Sequence, residues 1–543
     1  MSVPRAQQGC EETGERHLAS APVDARARHD VDRGSRLVAF ALAVSLAAIL
    51  SACAVGPDFQ KPAAPEVSDY TKEPLGRAAA STNPSRPDEQ FLRDLDIPGQ
   101  WWAIYHSQVL NELVEDALAH NADLQAAQAA LRLARENSAA QRGAFFPQLT
   151  GTATGIGGNT GNALASPLAS SATSYTLYTP QVAVAYSPDV FGLVRREVEN
   201  LDAVAEMQRF QLEATYLTLT SNVVAGAIQE ASLRGQIIAT RKIIRLSREN
   251  LVIFRRQRDL GQIANADVLL QEAALAQVEE TLPPLEKQLA QQRNFMTALA
   301  GRFPSEEIAQ KFNIAGLRLP AELPVSLPSK LIEQRPDIKA AEANLHAASA
   351  EIGVATANRL PIFNLTANYG NSSETLATLF SPATAAWEIG GSVTHTLFDG
   401  FALYHKQKAA LAAFAQADAQ YRSTVITAFQ NVADVLRALQ ADARTYRAAV
   451  AAESAAWKSL DITRKQLALG QINNLALLNA QSIYLQASLV RVQAQAARYA
   501  DTAALFQALG GGWWNRSDVG PAAEASGPPS LGEFLVPTLV QDP

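Results

Sequence analysis

Asp123–Pro147, DLQAAQAALRLARENSAAQRGAFFP, lies without a gap on Asp337–Pro361, DIKAAEANLHAASAEIGVATANRLP. The two stretches share Asp123/Asp337, Leu124/Ile338, Ala126/Ala340, Ala127/Ala341, Leu131/Leu345 and Pro147/Pro361. Further on, Gly192 answers Gly400, Gly261-Gln262-Ile263 answers Gly470-Gln471-Ile472, and Gly301 answers Gly510. A period of roughly 200 residues is far longer than a solenoid repeat, and it implies two copies of one multi-element unit about a pseudo-axis. The offset is 214 at the start of the copies, 208 at Gly192/Gly400 and 209 at the later glycines. A six-residue surplus therefore belongs to the first copy between its proline and Gly192, most simply in a Gly/Ser-rich loop there.

Outward from that pair the period changes. The spacing Leu110, Leu113, Val114, Ala117, Leu118 predicts a helix within Trp101 to Phe146, stopped by Pro147. Beyond it Leu149, Gly151 and Ala153 alternate with Thr150, Thr152 and Thr154, and Val182, Val184 and Tyr186 alternate with Ala183, Ala185 and Ser187. In the second copy Phe363, Leu365, Ala367 and Tyr369 alternate with Asn364, Thr366, Asn368 and Gly370, and Trp387, Ile389 and Val393 share a face. Each run has about the 9 to 11 residues of a tilted transmembrane strand, apolar outward and polar inward. Taken alone, the strands also fit two soluble hairpins. Four strands cannot close a barrel and lipid does not tolerate open edges, so membrane strands of this number require neighbouring chains in a ring.

The strands give way to helices at Asp189-Val190-Phe191-Gly192 and Leu397-Phe398-Asp399-Gly400. Between Gly400 and Gly470, Phe429, Leu436, Ala443, Val450 and Trp457 recur every seven residues, interleaved with Val425, Val432, Leu439, Tyr446, Leu460 and Leu467. That pattern predicts a left-handed coiled coil, and Ile237, Ile244 and Leu251 keep the same rhythm in the first copy. At 1.5 Å per residue each helix is about 100 Å long. Return helices are expected over 264–299 and 474–509, with Gly261 and Gly470 at the hairpin tips where φ > 0 is needed. Pro283-Pro284 must break the first return helix, whereas Val492-Gln493 leaves the second intact. The irregular segment 303–329 is expected to pack as a belt near that bend. The arginines Arg255, Arg256 and Arg258 read as a solvated helix face.

The chain has 543 residues and a net charge of −7, which argues against a nucleic-acid partner. Arg33 and Arg36 precede an apolar run from Leu37 to Leu50, too short to span a bilayer as a helix, and the run ends Leu50-Ser51-Ala52-Cys53. This is a signal peptide with a lipobox: Cys53 is expected to carry diacylglycerol and an N-acyl chain, and several acyl chains give a durable anchor. Cys10 lies upstream and would be removed, so no intrachain disulfide is possible. Residues 1–32 are foreign to a signal peptide, which places the expected translation start near Val31. Residues 54–100 read as a tether or wrapping segment.

Cys53-Ala54-Val55-Gly56-Pro57-Asp58-Phe59-Gln60-Lys61-Pro62 resembles the start of the NodT-type outer-membrane efflux lipoproteins of the outer membrane factor family. Trp101-Trp102, Leu327-Pro328-Ser329, Arg335-Pro336-Asp337-Ile338 and Leu509-Gly510-Gly511-Gly512-Trp513 carry the same resemblance. It implies a TolC-like homotrimer, mainly α with a membrane β-barrel. Three chains would supply twelve strands in the outer membrane and twelve long helices in a periplasmic tunnel. It further implies a periplasmic membrane-fusion adaptor and an inner-membrane pump of the resistance-nodulation-division type as partners. Gly261 and Gly470 then lie where the adaptor docks, although both glycines are equally explained by the turn itself. Family members often carry Leu-Leu-Asp-Ala-Gln after the second tip, where this chain has Leu477-Leu478-Asn479-Ala480-Gln481. A ring of Asn479 closes a periplasmic gate without charge, which implies weaker cation block than an aspartate ring. Asp267, near the first tip, either substitutes electrostatically or serves its helix start. By resemblance to bacterial lipoproteins, Ala54 after the cysteine, in place of Asp, favours the outer membrane over the inner.

The organisation expected is a signal peptide with an over-long extension (1–52), a lipid-anchored segment (53–100), a first repeat (101–301), an equatorial linker (302–330), a second repeat (331–512) and a flexible tail (513–543). The function expected is that of an exit duct conducting solutes such as drugs outward. Ducts for type I protein secretion or metal-ion efflux fit the same pattern, and a nonconducting lipoprotein coiled coil fits all but the strands. The seven histidines show no paired metal spacing and there is no phosphate loop, so neither an enzyme nor a resident cofactor is expected.

Overall fold

The computed structural model describes residues 54–67, 69–72, 90–93, 95–161, 173–320 and 322–516. Cys53 and the expected signal peptide lie outside the described residues, as do 517–543. Trp101 opens a 3-10 turn, Trp101–Tyr105, followed by α1 (Gln108–His120) and α2 (Ala122–Arg142). The expected single helix is thus divided. Ser107 accepts a bond from the Leu110 amide to start α1, and Asn121 adopts φ −67° and ψ 124° to end it. Asn121 then accepts from the Leu124 amide at 3.1 Å and donates to the Leu299 carbonyl at 3.0 Å. A short polar side chain that caps one helix while bonding a distant backbone competes well with helix continuation.

Four strands form one antiparallel sheet in the order β2 (Gln148–Asn159), β3 (Ser174–Tyr186), β5 (Ile362–Asn371), β6 (Ala385–Thr394). The strands of the first hairpin have 12 and 13 residues against 10 and 10 in the second. Five of the six surplus residues are therefore strand, not loop, because each added ladder pair fixes its backbone groups where extra loop length does not. A short parallel pair, β1 (Gln90–Arg93) with β4 (Glu322–Val325), joins the N-terminal segment to the linker between repeats.

Asp189 accepts from the amides of Val194 and Arg195, and Asp399 from that of Leu403, so one aspartate caps the long helix in each copy. These helices, α3 (Leu193–Asp259) and α8 (Ala402–Ala468), have 67 residues each. The second return helix, α9 (Asn474–Ala508), is continuous. The first is divided into α4 (Asn265–Glu280) and α5 (Leu282–Leu299) at Thr281, two residues before Pro283-Pro284. Val425, Val432, Leu436, Leu439, Ala443 and Leu460 are buried along α8, but nearer the tip Ala449 and Ala456 replace Val450 and Trp457 on the seam. Drift of a 3.6-residue helix against a seven-residue count carries Trp457 to the edge, where its ring lies 4.2 Å beneath Lys242 Nζ.

The main core is equatorial. Trp101, Trp102 and Tyr105 are buried with Leu110, Leu113, Val223, Phe506 and Leu509, and the linker adds Ile308, Phe312, Leu317 and Leu323. Trp101 stacks on Phe506 at 5.7 Å, and the Tyr105 hydroxyl donates to the Tyr499 carbonyl at 2.8 Å. The linker residues pack into this core, away from the proline break. Arg293 fixes them, bonding Glu230, Glu307 and the carbonyls of Ile308 and Gln310, about 14 Å along the helix from Pro284.

Two short helices, α6 (Pro328–Gln334) and α7 (Pro336–Ala357), open the second copy. Arg335 between them donates to the Ala508 carbonyl at the end of α9 and pairs with Asp337. Gly510, Gly511 and Gly512 follow with φ of +97°, +69° and +69°. A β-carbon on Gly510 would lie 2.5 Å from the Gln334 carbonyl oxygen, so this turn needs glycine both for conformation and for space. Residues 513–516, expected in a flexible tail, are held instead: Trp513 Nε1 bonds the Gln334 carbonyl, Asn515 bonds Asp96, and Arg516 pairs with Glu213.

Candidate functional site

Cross-strand register assembles one face of the sheet from all four strands. Leu149 faces Val184, Val184 faces Ala367 and Ala367 faces Ile389, while the next row runs Gly151, Val182, Tyr369, Trp387. Trp387, Ile389 and Val393 are 72%, 76% and 62% exposed. The opposite face carries Thr150, Ala183, Asn368 and Glu388 in one row, and Asn368 donates to Glu388 at 3.4 Å. One surface is thus built for hydrocarbon and the other for water. The outer edges of β2 and β6 pair with no described strand of this chain. No described helix is long and apolar enough to cross a membrane.

At the far end of the hairpins stand the two tips. Gly261 has φ +72° and Gly470 φ +69°, and a β-carbon on either would meet nothing within 4 Å. Conformation alone, worth about 1–2 kcal/mol per non-glycine residue in the left-handed region, accounts for glycine there. Asn473 caps α9, accepting from the Ala476 amide at 3.1 Å. Asn479 is exposed in the second turn of α9, and Asp267 is half-buried in the first turn of α4, where a carboxylate complements the helix dipole. The two lie on different hairpins, and no hydrogen bond or ion pair links them. Between the hairpins near the tips is a groove of about 340 Å³ lined by Asn250, Phe254 and Gln257 of α3, Asp461, Arg464 and Lys465 of α8, and Leu477 of α9.

The charges along the first hairpin carry a feature absent from the heptad reading. Arg241, Arg248 and Arg255 of α3 pair with Glu286, Glu279 and Glu272 of the return helices at 2.7, 2.7 and 2.8 Å. Both series step by seven, and that spacing in the sequence was the available signal. Arg255 is therefore a rung of an antiparallel ladder, and Arg258 pairs with Asp259 rather than being merely solvated. Among the described residues no group of three or more His, Cys, Asp or Glu side chains could hold a metal ion.

A membrane sheet of four strands, continued by two 67-residue helices and their return partners, defines an outer-membrane channel of the helical-tunnel type. The outer membrane efflux protein family matches residues 113–302 and 327–511, and the chain belongs to it. It is similar to the probable efflux pump outer membrane protein TtgC of Pseudomonas putida, 27% identical over 86% of this chain and 94% of that one. It also resembles the cation efflux system protein CusC of Escherichia coli, at 26% over 88% and 99%. Among solved structures, the outer-membrane channel OprN superposes with a TM-score of 0.75 at 26% identity, covering 85% of this chain and all of that one. The protein is an efflux channel of the outer membrane, extending into the periplasm.

Proposed function

We propose that three copies of this chain close a twelve-stranded barrel on a tunnel of twelve long helices, and that the assembly is the passive exit duct of a tripartite efflux system. Its periplasmic end docks a membrane-fusion adaptor through the tips at Gly261 and Gly470, and through the adaptor an inner-membrane pump of the resistance-nodulation-division type. The chain itself catalyses nothing; the pump selects drug-like solutes and supplies the work. The observation that carries this reading is the sheet with one continuous apolar face and two unpaired outer edges, which lipid tolerates only in a closed ring. The inter-hairpin groove near the tips offers a place for an adaptor hairpin. TtgC and its relatives are named as efflux pump components, which supports a pump partner.

Cys53 is the proposed lipid anchor, carrying diacylglycerol and an N-acyl chain. Val55, two residues on, donates to the Phe191 carbonyl at 3.0 Å, at the junction between strand and helix. Asn479 and Asp267 are the proposed gate residues.

The test is planar-bilayer conductance of the purified protein, with and without its adaptor, alongside its solution mass. A trimer whose conductance rises with adaptor is expected; a monomer that conducts nothing would overturn the proposal. The likeness to CusC favours metal ions as a second cargo class. Comparing survival of a deletion strain on drugs and on metal salts decides between them.

A further inference from the structure

We infer that the junction between β6 and α8 binds the headgroup of an anionic phospholipid in the periplasmic leaflet of the outer membrane. The inference rests on the membrane placement of the strands. Phe401 starts α8 with φ +68°, a left-handed conformation that costs a bulky residue about 1–3 kcal/mol and persists only when something compensates it. The matching residue of the first copy, Leu193, is already helical, so the topology does not demand the strain. Nor does packing among the described residues explain it: Phe401 is 65% exposed, and its only ring neighbour among them is Phe398, itself 77% exposed, at 5.9 Å.

One turn along, the chemistry changes from apolar to cationic. The Tyr404 ring has the Arg359 guanidinium 5.9 Å and Lys408 Nζ 5.6 Å from its centre, and Arg359 also donates to Gln407. Lys406 is exposed between them. None of these three cations has an ion-pair partner among the described residues. The sole acidic residue from His395 to Lys408 is Asp399, one of whose oxygens accepts from the Leu403 amide. Phe401 to Lys408 spans about 10 Å of helix, enough to run from the hydrocarbon edge through one headgroup layer of about 5–8 Å. Rings at hydrocarbon depth with cations just beyond them match a lipid whose phosphate sits between.

The first copy supplies the control. Arg196 holds the place that Tyr404 holds in the second, and there the chain covers its own junction. Arg196 bonds the carbonyls of Val55 and Gly56 and pairs with Asp58 and Glu199, and Arg195 pairs with Asp189. No segment of the described chain performs that service for Arg359, Lys406 and Lys408, and Leu397 and Phe398, which follow β6 in sequence, are also exposed.

The test uses the full-length assembled protein and two lipids, dioleoyl phosphatidylglycerol and dioleoyl phosphatidylcholine, with retained lipid counted by native mass spectrometry. Wild type is expected to prefer the phosphatidylglycerol by about tenfold or more. The combined variant Arg359→Gln, Lys406→Gln, Lys408→Gln should lose that preference with unchanged melting in detergent. Phe401→Gly should weaken retention while leaving the fold at least as stable. Equal binding of both lipids by wild type, or an unchanged preference in the triple variant, overturns the site. So does full competition by inorganic phosphate, which would make it a free-anion site. Shielding of a Lys406→Cys thiol from a soluble maleimide in detergent would mean that a second copy covers the surface, and also overturns it. Vesicle flotation separates the two levels: a chain that fails to float contradicts the membrane placement, whereas one that floats without lipid preference contradicts only this site.

Discussion

Arg248 reaches across the first hairpin to Glu279, Nη2 to Oε1 at 2.7 Å, and forms the middle rung of a three-rung ladder. The Thr281 break and Pro283-Pro284 fall between this rung and the next, Arg241–Glu286. The pairing nevertheless keeps one antiparallel register on both sides. Thr281 remains right-handed helical, with φ −76° and ψ −15°, so the prolines remove helical hydrogen bonds without shifting one helix along the other. At the matching places the second hairpin has Val450, Trp457 and Arg464 against Gln495, Ser488 and Gln481, and no such ladder. The charged zipper marks the hairpin whose return helix is broken.

Each rung is largely exposed and is worth about 0.2–1 kcal/mol, so Arg248→Ala alone should change melting little. Reversing Arg241, Arg248 and Arg255 together to Glu sets six carboxylates along one seam. Amide hydrogen exchange in α4 is then expected to accelerate, while α9 is unaffected. Adding Glu272→Arg, Glu279→Arg and Glu286→Arg should restore protection, and failure of that rescue would show the ladder to be incidental.

The duplication, the four strands, the left-handed tip glycines and the proline break were legible because each depends on local pattern or on backbone chemistry within a few residues. Asn121 was not, because its competing bond is made to Leu299, far away in sequence. Counting heptads identified the seam of α8 but not its turn toward Ala449 and Ala456, which depends on what packs opposite. Glycine-rich sequence resembles loop, which hides the strand surplus of the first hairpin: β2 carries Gly151, Gly155, Gly157 and Gly158 within the ladder itself. Of the candidate site residues, the tips were readable from glycine alone, whereas the pairing of Arg255 required knowing which helix returns beside it.

The glycines at the tips and at the end of α9 should respond in opposite ways to a side chain. Gly470→Trp has open space around its β-carbon and is expected to assemble and melt nearly as wild type, losing only the cost of the left-handed turn. It should nevertheless abolish export in a strain that depends on this protein; preserved export would remove the docking role. Gly510→Ala adds only a methyl group, but against the Gln334 carbonyl, and should reduce folded protein in the membrane far more.

Asp442 gives stability a pH dependence. Burial, then the hydrogen bond and charge of neighbouring Asp501, push its carboxyl up to about 7, with Arg498 opposing. The unfolded chain loses that proton near pH 4, so between about 4 and 7 the folded state binds more protons than the unfolded. Stability from this site is therefore lost as pH rises through that window and regained on acidification. Melting of wild type at pH 5.5 should exceed that at pH 8 by more than it does in Asp442→Asn. An identical pH response in the variant would mean that other groups govern it.

Asn479 is exposed in the second turn of α9, close to the tip, where a threefold assembly would bring three copies toward one axis. An amide can narrow a pore by bulk and by hydrogen bonding, but it carries no charge to hold a divalent cation. Block by magnesium or by a trivalent cation in single-channel recordings should therefore be weak. Asn479→Asp replaces an amide with a carboxylate of nearly the same shape, on an exposed side chain with no hydrogen bond to lose among the described residues, so folding should be unaffected. Block should strengthen by at least about tenfold, since in the proposed trimer three carboxylates would act together near one axis. Asp267→Asn in the same recordings separates the alternatives for the first tip. If its carboxylate serves only the start of α4, block is unchanged; if it stands in for the missing ring charge, the residual block of the wild type disappears.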